Sequence, residues 1–536
     1  MKTWKKIAFP FSLAIILALG ILIGNFLAMR NDVGNTIGFF RSLGLDKSKL
    51  SELLNLISTR YVDSVNVNNI TDNAMSSILD NLDPHSVYIP AKDLEATNEQ
   101  LEGKFGGIGV EFTLQNDTIL VVAVVHGGPS EKMGILPGDR IISVNDTAFV
   151  GKSVSNEKVM NKLRGPSGTT VTIGIKRAER RNILTYAITR GEIPVNSVEA
   201  AYMITPQIGY IKVSKFGDTT YSEFLTALAK LRNQGASKLI IDLRGNIGGF
   251  MEAAIKMVNE FLPKNELIVY AQGRTYPRAE YYSDGRGSFP NIKIAVIIDE
   301  WSASASEIFS GAIQDNDRGL IIGRRSYGKG LVQQQFEFSD KSAVRLTIAR
   351  YYTPSGRCIQ KPYQMGKDQA YENDFLNRYL HGEFFSKDSI KLDKQVKFKT
   401  REGRIVYGGG GIMPDIFVPM DTVGYTPYYR RLVDHSILFQ FAVNYTNQHR
   451  KQLEKYDTWQ KLNQYLSNQP LAQHLAIYAA SKGIPKHYYF FGISHSLISN
   501  QVKAYIIRNL MGDEGYYHTW NQTDKTVQKT IDALNK

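Results

Sequence analysis

Two short apolar runs constrain this chain more than any other feature. KLIID (238–242) and KIAVIID (293–299) carry Leu, Ile, Val and Ala at nearly every position between a lysine and an aspartate. A strand with one wet face alternates apolar and polar residues. A strand apolar throughout must be covered on both faces, as in a parallel sheet between layers. Helical patterns stand between the runs. Residues 220–234 place Phe224, Leu225, Leu228 and Leu231 on one face, and 248–262 and 304–313 read as further helices. IGYIKV (208–213), GLIIG (319–323), LVQQQFEF (331–338) and AVRLTIARYY (343–352) read as further strands. Alternation of this kind predicts an α/β layered domain.

The chain has 536 residues, enough for about three or four domains. Residues 31–102 look helical: Leu50, Leu53, Leu54, Ile57 and Tyr61 share one face, and a second set, Ala74, Ile78 and Leu82, stops at Asp83-Pro84. Residues 103–190 are strand-rich with Gly/Pro turns, and only 129–134 and 155–163 suggest helices. The α/β domain occupies 191–425, with a polar, irregular insertion at 356–403 and a glycine-rich turn and strand at 408–419. Residues 426–536 are helical, rich in Tyr, Gln and Asn, and hold no catalytic motif.

Residues 7–29 form an uncharged run of 23 positions behind Lys2, Lys5 and Lys6. About 20 apolar residues cross a bilayer, so residues 1–30 are expected to anchor the chain in a membrane, with the remainder outside the cytoplasm. A cleaved signal segment is the rival, but the run is long for one and no small-x-small site follows. The single cysteine, Cys358, excludes an internal disulfide and a cysteine-built zinc or iron–sulfur site. The net charge of +13 invites a polyanion partner, yet residues 1–30 carry +4 and 421–536 carry +5. The 390 residues between hold only +4. No nucleic-acid motif is present, and no nucleic-acid partner is expected.

The chemistry concentrates after residue 298. DEWSASASEIF (299–309) follows a predicted parallel strand and opens a helix, where α/β folds place reactive groups and where free N–H groups suit an oxyanion. Ser304 and Glu307 also form a capping-box pattern, so a plain helix cap and a nucleophile both remain open. GRRSYGKG (323–330) resembles a phosphate loop, but Gly330 replaces the hydroxyl residue and a strand follows the lysine, which excludes nucleotide binding. A Ser-His-Asp triad lacks its histidine: only His381 lies between residues 127 and 434. A Ser-Lys pair is the alternative and requires a desolvated, neutral Lys329. GNIGG (245–249) is either a strand-to-helix turn or an oxyanion donor. The turn GGIGV (106–110) is either a hairpin or a receptor for a terminal carboxylate.

The segments LDPHSVYI (82–89), GGIGVEF (106–112), LRGPSGTTVTI (163–173), IDLRGNIGGF (241–250), SASASEIFSGAIQDN (302–316), GRRSYGKGLVQQ (323–334), YYTPSGR (351–357) and GGGIMPDI (409–416) together resemble the C-terminal processing peptidases. These are the tail-specific serine proteases of the S41 type, and the likeness spans about residues 45–425. The resemblance implies a crotonase- or ClpP-like protease core with an inserted PDZ domain. It implies Ser304 as nucleophile, Lys329 as base, Gln333 to orient the lysine and Glu307 to support the serine's helix. Ala305, Gly248 and Gly249 would then supply oxyanion N–H groups. Gly107, Ile108, Gly109, Val110 and Arg164 would receive a substrate tail, although Arg164 could equally relay a signal between domains or be a solvated turn residue. No metal or cofactor is implied. Substrates would be exported proteins with exposed apolar C-termini, met in a bacterial cell envelope with the catalytic part in the periplasm. A homo-oligomer is compatible with the sequence. Trp301 stands where the family more often has a small residue, which bears on the entrance to the site. The rival from a different class is a catalytically inactive PDZ scaffold on a protease-like fold.

Overall fold

The computed structural model describes residues 47–536 except 116, 126, 152–153, 178–179, 367 and 392–395. The expected membrane segment at 7–29 lies outside the described residues. Among the described residues no helix is long and apolar enough to cross a membrane. The chain divides into two units, up to Leu79 and from Asp80 onward. In the first, the expected pair of helices is present as Lys47–Arg60 and Val67–Leu79.

The second unit is built on a six-stranded sheet. Its order is Val198–Met203, Ile208–Val213, Lys238–Asp242, Lys293–Ile298, Leu320–Gly323 and Ile416–Phe417. The first pair is antiparallel and the rest are parallel. The two founding apolar runs are adjacent central strands, with Ile240 opposite Ala295 and Ile241 opposite Val296. Successive side chains serve opposite layers. Ile241 and Val296 join Phe224, Leu228, Met257 and Phe309 from helices Thr220–Asn233, Met251–Asn259 and Ala305–Asp315. Ile240, Ala295 and Ile297 face the other way, against Val527 and Leu534 of the C-terminal helix Lys525–Asn535. The end of the chain therefore covers the second face that a parallel sheet must hide.

An antiparallel sheet flanks this one. Ala343–Tyr352 is its spine, pairing with Leu331–Glu337 on one side and with Val87–Ile89 and Leu267–Gln272 on the other. Residues 83–89, just after the first unit, thus belong to the core of the second unit.

The strand-rich module holds the five-stranded order Val110–Gln115, Thr118–Val124, Arg140–Val144, Thr170–Lys176 and Leu184–Thr189, with helices Pro129–Lys132 and Asn156–Leu163. Its entering strand Lys104–Gly107 pairs with its leaving strand Gly191–Pro194, so the module is spliced in at one point.

The insertion is a correction. Residues 356–403 are not irregular: they contain the helix Asp368–Leu380 and a strand, Lys397–Lys399, that pairs with Ile405–Tyr407. Tyr371, Phe375 and Tyr379 recur at four-residue spacing, and the packing of these rings makes the helix. Tyr371 meets His85, Phe375 meets Trp301, and both Phe375 and Tyr379 meet Phe384.

The C-terminal helices form their own core and also dock outward. On the strand-rich module, Val443 and Phe439 pack with Leu120 and Val122, and Gln115 Nε2 donates to Asn444 Oδ1 at 3.2 Å. On the main sheet, Arg244 bridges Asp242 at 2.6 Å and Asp524 at 2.7 Å. Asp524 caps the last helix by accepting from the N–H groups of Thr526 and Val527. Burial alone would raise the Asp242 carboxyl, but Arg244 and Lys212 beside it hold it well below the usual range. Val527→Asp would press an unpaired carboxylate into this layer, a loss of several kcal/mol. Thermal unfolding followed by circular dichroism should show a clearly lowered Tm; an unchanged Tm would mean that the sheet does not need the helix.

Candidate active site

The strand Lys293–Ile298 ends in a tight turn over 299–304 that leads into the helix Ala305–Asp315. Ser304 sits at the bend with φ 56° and ψ −115°, a left-handed conformation that a side chain rarely adopts. Such strain costs about 1–3 kcal/mol and persists only where neighbours over-determine it. Here the neighbours are the other serines. Ser302 Oγ donates to the Leu243 carbonyl at 2.9 Å and Ser306 Oγ to the Asn246 carbonyl at 2.8 Å. Both are fully buried, whereas Ser304 lines a cleft of about 850 Å³.

Glu307 organises the site from beneath. It is fully buried and takes four donors: Ser304 N at 2.9 Å, Lys329 N at 2.8 Å, Gly328 N at 2.7 Å and Ser326 Oγ at 2.5 Å. Burial pushes its carboxyl above the ordinary range against the pull of those donors. One oxygen thus holds the backbones of residues 304 and 329 together, although they are 25 positions apart in the chain.

Lys329 shares the cleft with Ser304. Burial, then the charge of Arg345, lowers its pKa below that of an ordinary lysine. Its Nζ donates to Gln333 Oε1 at 3.1 Å. Gln333 cannot turn over, because its Nε2 donates to the His85 carbonyl. The 83–86 turn that offers this carbonyl is itself pinned: Asp83 accepts from Ser86 Oγ at 2.6 Å and from Thr347 Oγ1 at 3.0 Å. The sequence assigned no task to Asp83, His85 or Arg345, and the LDPHS segment was the only signal for the first two. The His85 imidazole, lowered to about 4 by burial and by Lys329, is neutral near pH 7 and bonds the Tyr371 hydroxyl at 2.9 Å.

Gly248 and Gly249 lie against Ser304 and Phe216. A Cβ on Gly248 would come within 2.7 Å of Ser304 Cβ, and one on Gly249 within 2.1 Å of the Phe216 carbonyl oxygen. Their φ values of 104° and 141° also exclude ordinary side chains. One expectation is corrected: the Gly248 N–H is not offered to the cleft, because it donates to Asn246 Oδ1 at 2.9 Å. The Asn246 side chain is fixed in turn by donating to the Val213 carbonyl at 3.1 Å.

The residues expected to receive a peptide also converge. Gly107, Ile108, Gly109, Val110 and Arg164 line one groove of about 90 Å³ beside the helix Asn156–Leu163. Arg164 is half-exposed at the end of this helix, and it has partners. It stacks 4.1 Å from the Phe105 ring centroid and pairs with Glu99 at 3.3 Å. Glu99 belongs to the helix Ala91–Glu102, whose Thr97, Asn98 and Glu102 line the large cleft. Trp301 leans on Phe375, with ring centroids 4.5 Å apart, and does not line the cleft.

Comparison with known proteins identifies the family. The sequence matches peptidase family S41 over residues 207–368 and a PDZ domain over 106–187. Residues 428–512 match a family of unknown function. A carboxy-terminal-processing protease of Bartonella bacilliformis is 36% identical over 318 residues, covering 58% of this chain and 72% of that protein. The chain belongs to peptidase family S41. The carboxy-terminal processing protease CtpB of Bacillus subtilis is 33% identical, covering 58% of this chain and 65% of that one. Among solved structures, a photosystem II D1 C-terminal processing protease aligns at 25% identity and a TM-score of 0.37, covering 70% of this chain and 87% of that one.

In this S41 member the Glu307 contacts can be weighed directly. Glu307→Gln keeps the shape but turns an NH₂ toward two of the four donors. Each donor left unsatisfied costs about 1–3 kcal/mol. Chemical denaturation should show a lower midpoint than the parent, and an equal midpoint would refute the role of the carboxylate.

Proposed function

We propose that this S41 peptidase is a serine endopeptidase of the carboxy-terminal processing type, acting through Ser304 and Lys329. The observation that carries the reading is the buried pair of contacts by which Glu307 joins the two backbones in one cleft. Neutral Lys329 takes the proton of Ser304 Oγ as the oxygen attacks the scissile carbonyl. The tetrahedral oxyanion is received by the N–H groups of Ala305, at the first position of its helix, and of Gly249. The proton held by Lys329 passes to the departing amine, leaving an acyl-enzyme. Water then hydrolyses the ester, with Lys329 again taking and returning a proton. Gln333 keeps Nζ aimed through its oxygen. Loss of one oxyanion donor typically costs about 10²–10³ in rate.

The PDZ groove would select substrates by their tails. An apolar C-terminus added at the 107–110 turn would lie beside Ile108 and Leu163, with its carboxylate near Arg164. The ion pair to Glu99 supports Arg164 as a link toward the cleft as well as a contact for the tail. The substrates would be exported proteins of a bacterial envelope, reached by a chain held at the membrane through residues 7–29.

Ser304→Ala and Lys329→Ala should each abolish cleavage of an unfolded protein bearing an apolar tail, while both variants remain folded. Unchanged cleavage by Ser304→Ala would remove the proposed nucleophile and favour a scaffold. The pH profile follows from the lysine. The neutral form is the base, so kcat/KM should be low in acid, rise through the lowered pKa and level off below the ordinary lysine value of about 10.4. A profile flat from acid to alkali would exclude Lys329 as the base.

A further inference from the structure

We propose that Tyr351 is a positioning residue for the Ser304–Lys329 pair: its phenol holds the carbonyl oxygens of both residues and so sets the spacing of their side chains. This deepens the Ser-Lys reading above and rests on it. The Tyr351 hydroxyl donates to the Ser304 carbonyl at 3.0 Å and also to the Lys329 carbonyl. The side chain is 1% exposed and lies at the wall of the cleft. It is delivered by the spine strand Ala343–Tyr352, where its own N–H donates to the Gly330 carbonyl at 3.0 Å.

The contact complements the one from Glu307. The carboxylate takes the N–H groups of residues 304 and 329, and the phenol takes their C=O groups. Each of the two residues is therefore held at both ends of its backbone by a group that it shares with the other. The phenol has one proton for two acceptors, so it serves both as a shared three-centre bond only while the two carbonyls stay side by side. The left-handed Ser304 needs such over-determination to keep its strained backbone in place. Burial, then the charge of Glu307, raises the phenol well above its ordinary pKa, so it remains a donor across the working pH range.

Tyr351→Phe keeps the ring that fills the core and removes only the hydroxyl. The full chain should be used, with its active sites titrated by a fluorophosphonate so that only folded, competent molecules are counted. The substrate probe is an unfolded protein with an apolar tail. Per titrated site, kcat should fall about 10–100-fold with KM within about threefold, because a small misplacement near the chemistry is costly while binding is not. The rising limb of the pH profile should move to higher pH as Nζ becomes better hydrated. Tyr352→Phe, whose ring stacks on Tyr270 at 4.8 Å, should behave as the parent. Fewer titratable sites with an unchanged kcat and pH midpoint per site would make Tyr351 a core filler and overturn the proposal. Cleavage that survives Ser304→Ala would instead remove the reading beneath it, whatever Tyr351→Phe does.

Discussion

The buried carboxylate of Glu307 is the contact on which the rest of the site depends. Taking a carboxylate out of water is expensive, and a neutral group of the same shape would be easier to bury. Four short contacts offset that cost, and three of them are backbone N–H groups that would otherwise be unsatisfied in the same interior. Ser326 extends the grip, since its oxygen also accepts from the Ile412 N–H at 2.6 Å. The YGKG and SASE turns thus meet on Glu307, and the GGGIM turn joins them through Ser326. Each comes from a different part of the chain, and none has a reason to lie at that depth without the charge between them.

Around this point the parallel sheet is covered on both faces. The parallel sheet hides one face under its own helices and the other under residues from the far end of the chain. Arg244 fastens the two together: it leaves the strand that precedes the GNIGG turn and reaches the cap of the last helix. The C-terminal helices are therefore structural to the peptidase core. The same helices cover part of the PDZ sheet through Leu120, Val122, Phe439 and Val443.

Much of this was legible in the sequence, for identifiable reasons. The continuous apolar runs announced the parallel strands, and the glycine-punctuated β-formers announced a strand-rich module, which the resemblance identified as a PDZ domain. Ser304, Lys329, Gln333 and Glu307 were put forward by the resemblance of ordered short motifs, and the structure brings the four into one neighbourhood. What could not be read is what long-range pairing decides. Val87–Ile89 is three residues long and becomes a strand only because Ala343–Arg345 lies beside it. The insertion helix was hidden in a polar composition, although its ring spacing at 371, 375 and 379 was a usable signal. The commitment of the Gly248 N–H to Asn246 depends on a side-chain rotamer, and no pattern of residues specifies that.

The fate of that N–H narrows how charge can be handled in the cleft. A donor already bonded at 2.9 Å to a fixed amide has little left to offer a developing oxyanion. Gly248 remains indispensable for a steric reason: any Cβ there would collide with Ser304. Its task is to let the turn come close, and in doing so it brings the next peptide, that of Gly249, to the edge of the cleft. Asn246 then acts as the ruler for this approach. Its side chain ties the turn to the strand at Val213, and its carbonyl receives Ala303 N at 3.0 Å and Ser306 Oγ at 2.8 Å from the serine loop. The glycine turn and the serine turn are thus spaced by one buried asparagine, as the backbones of residues 304 and 329 are joined by one buried glutamate.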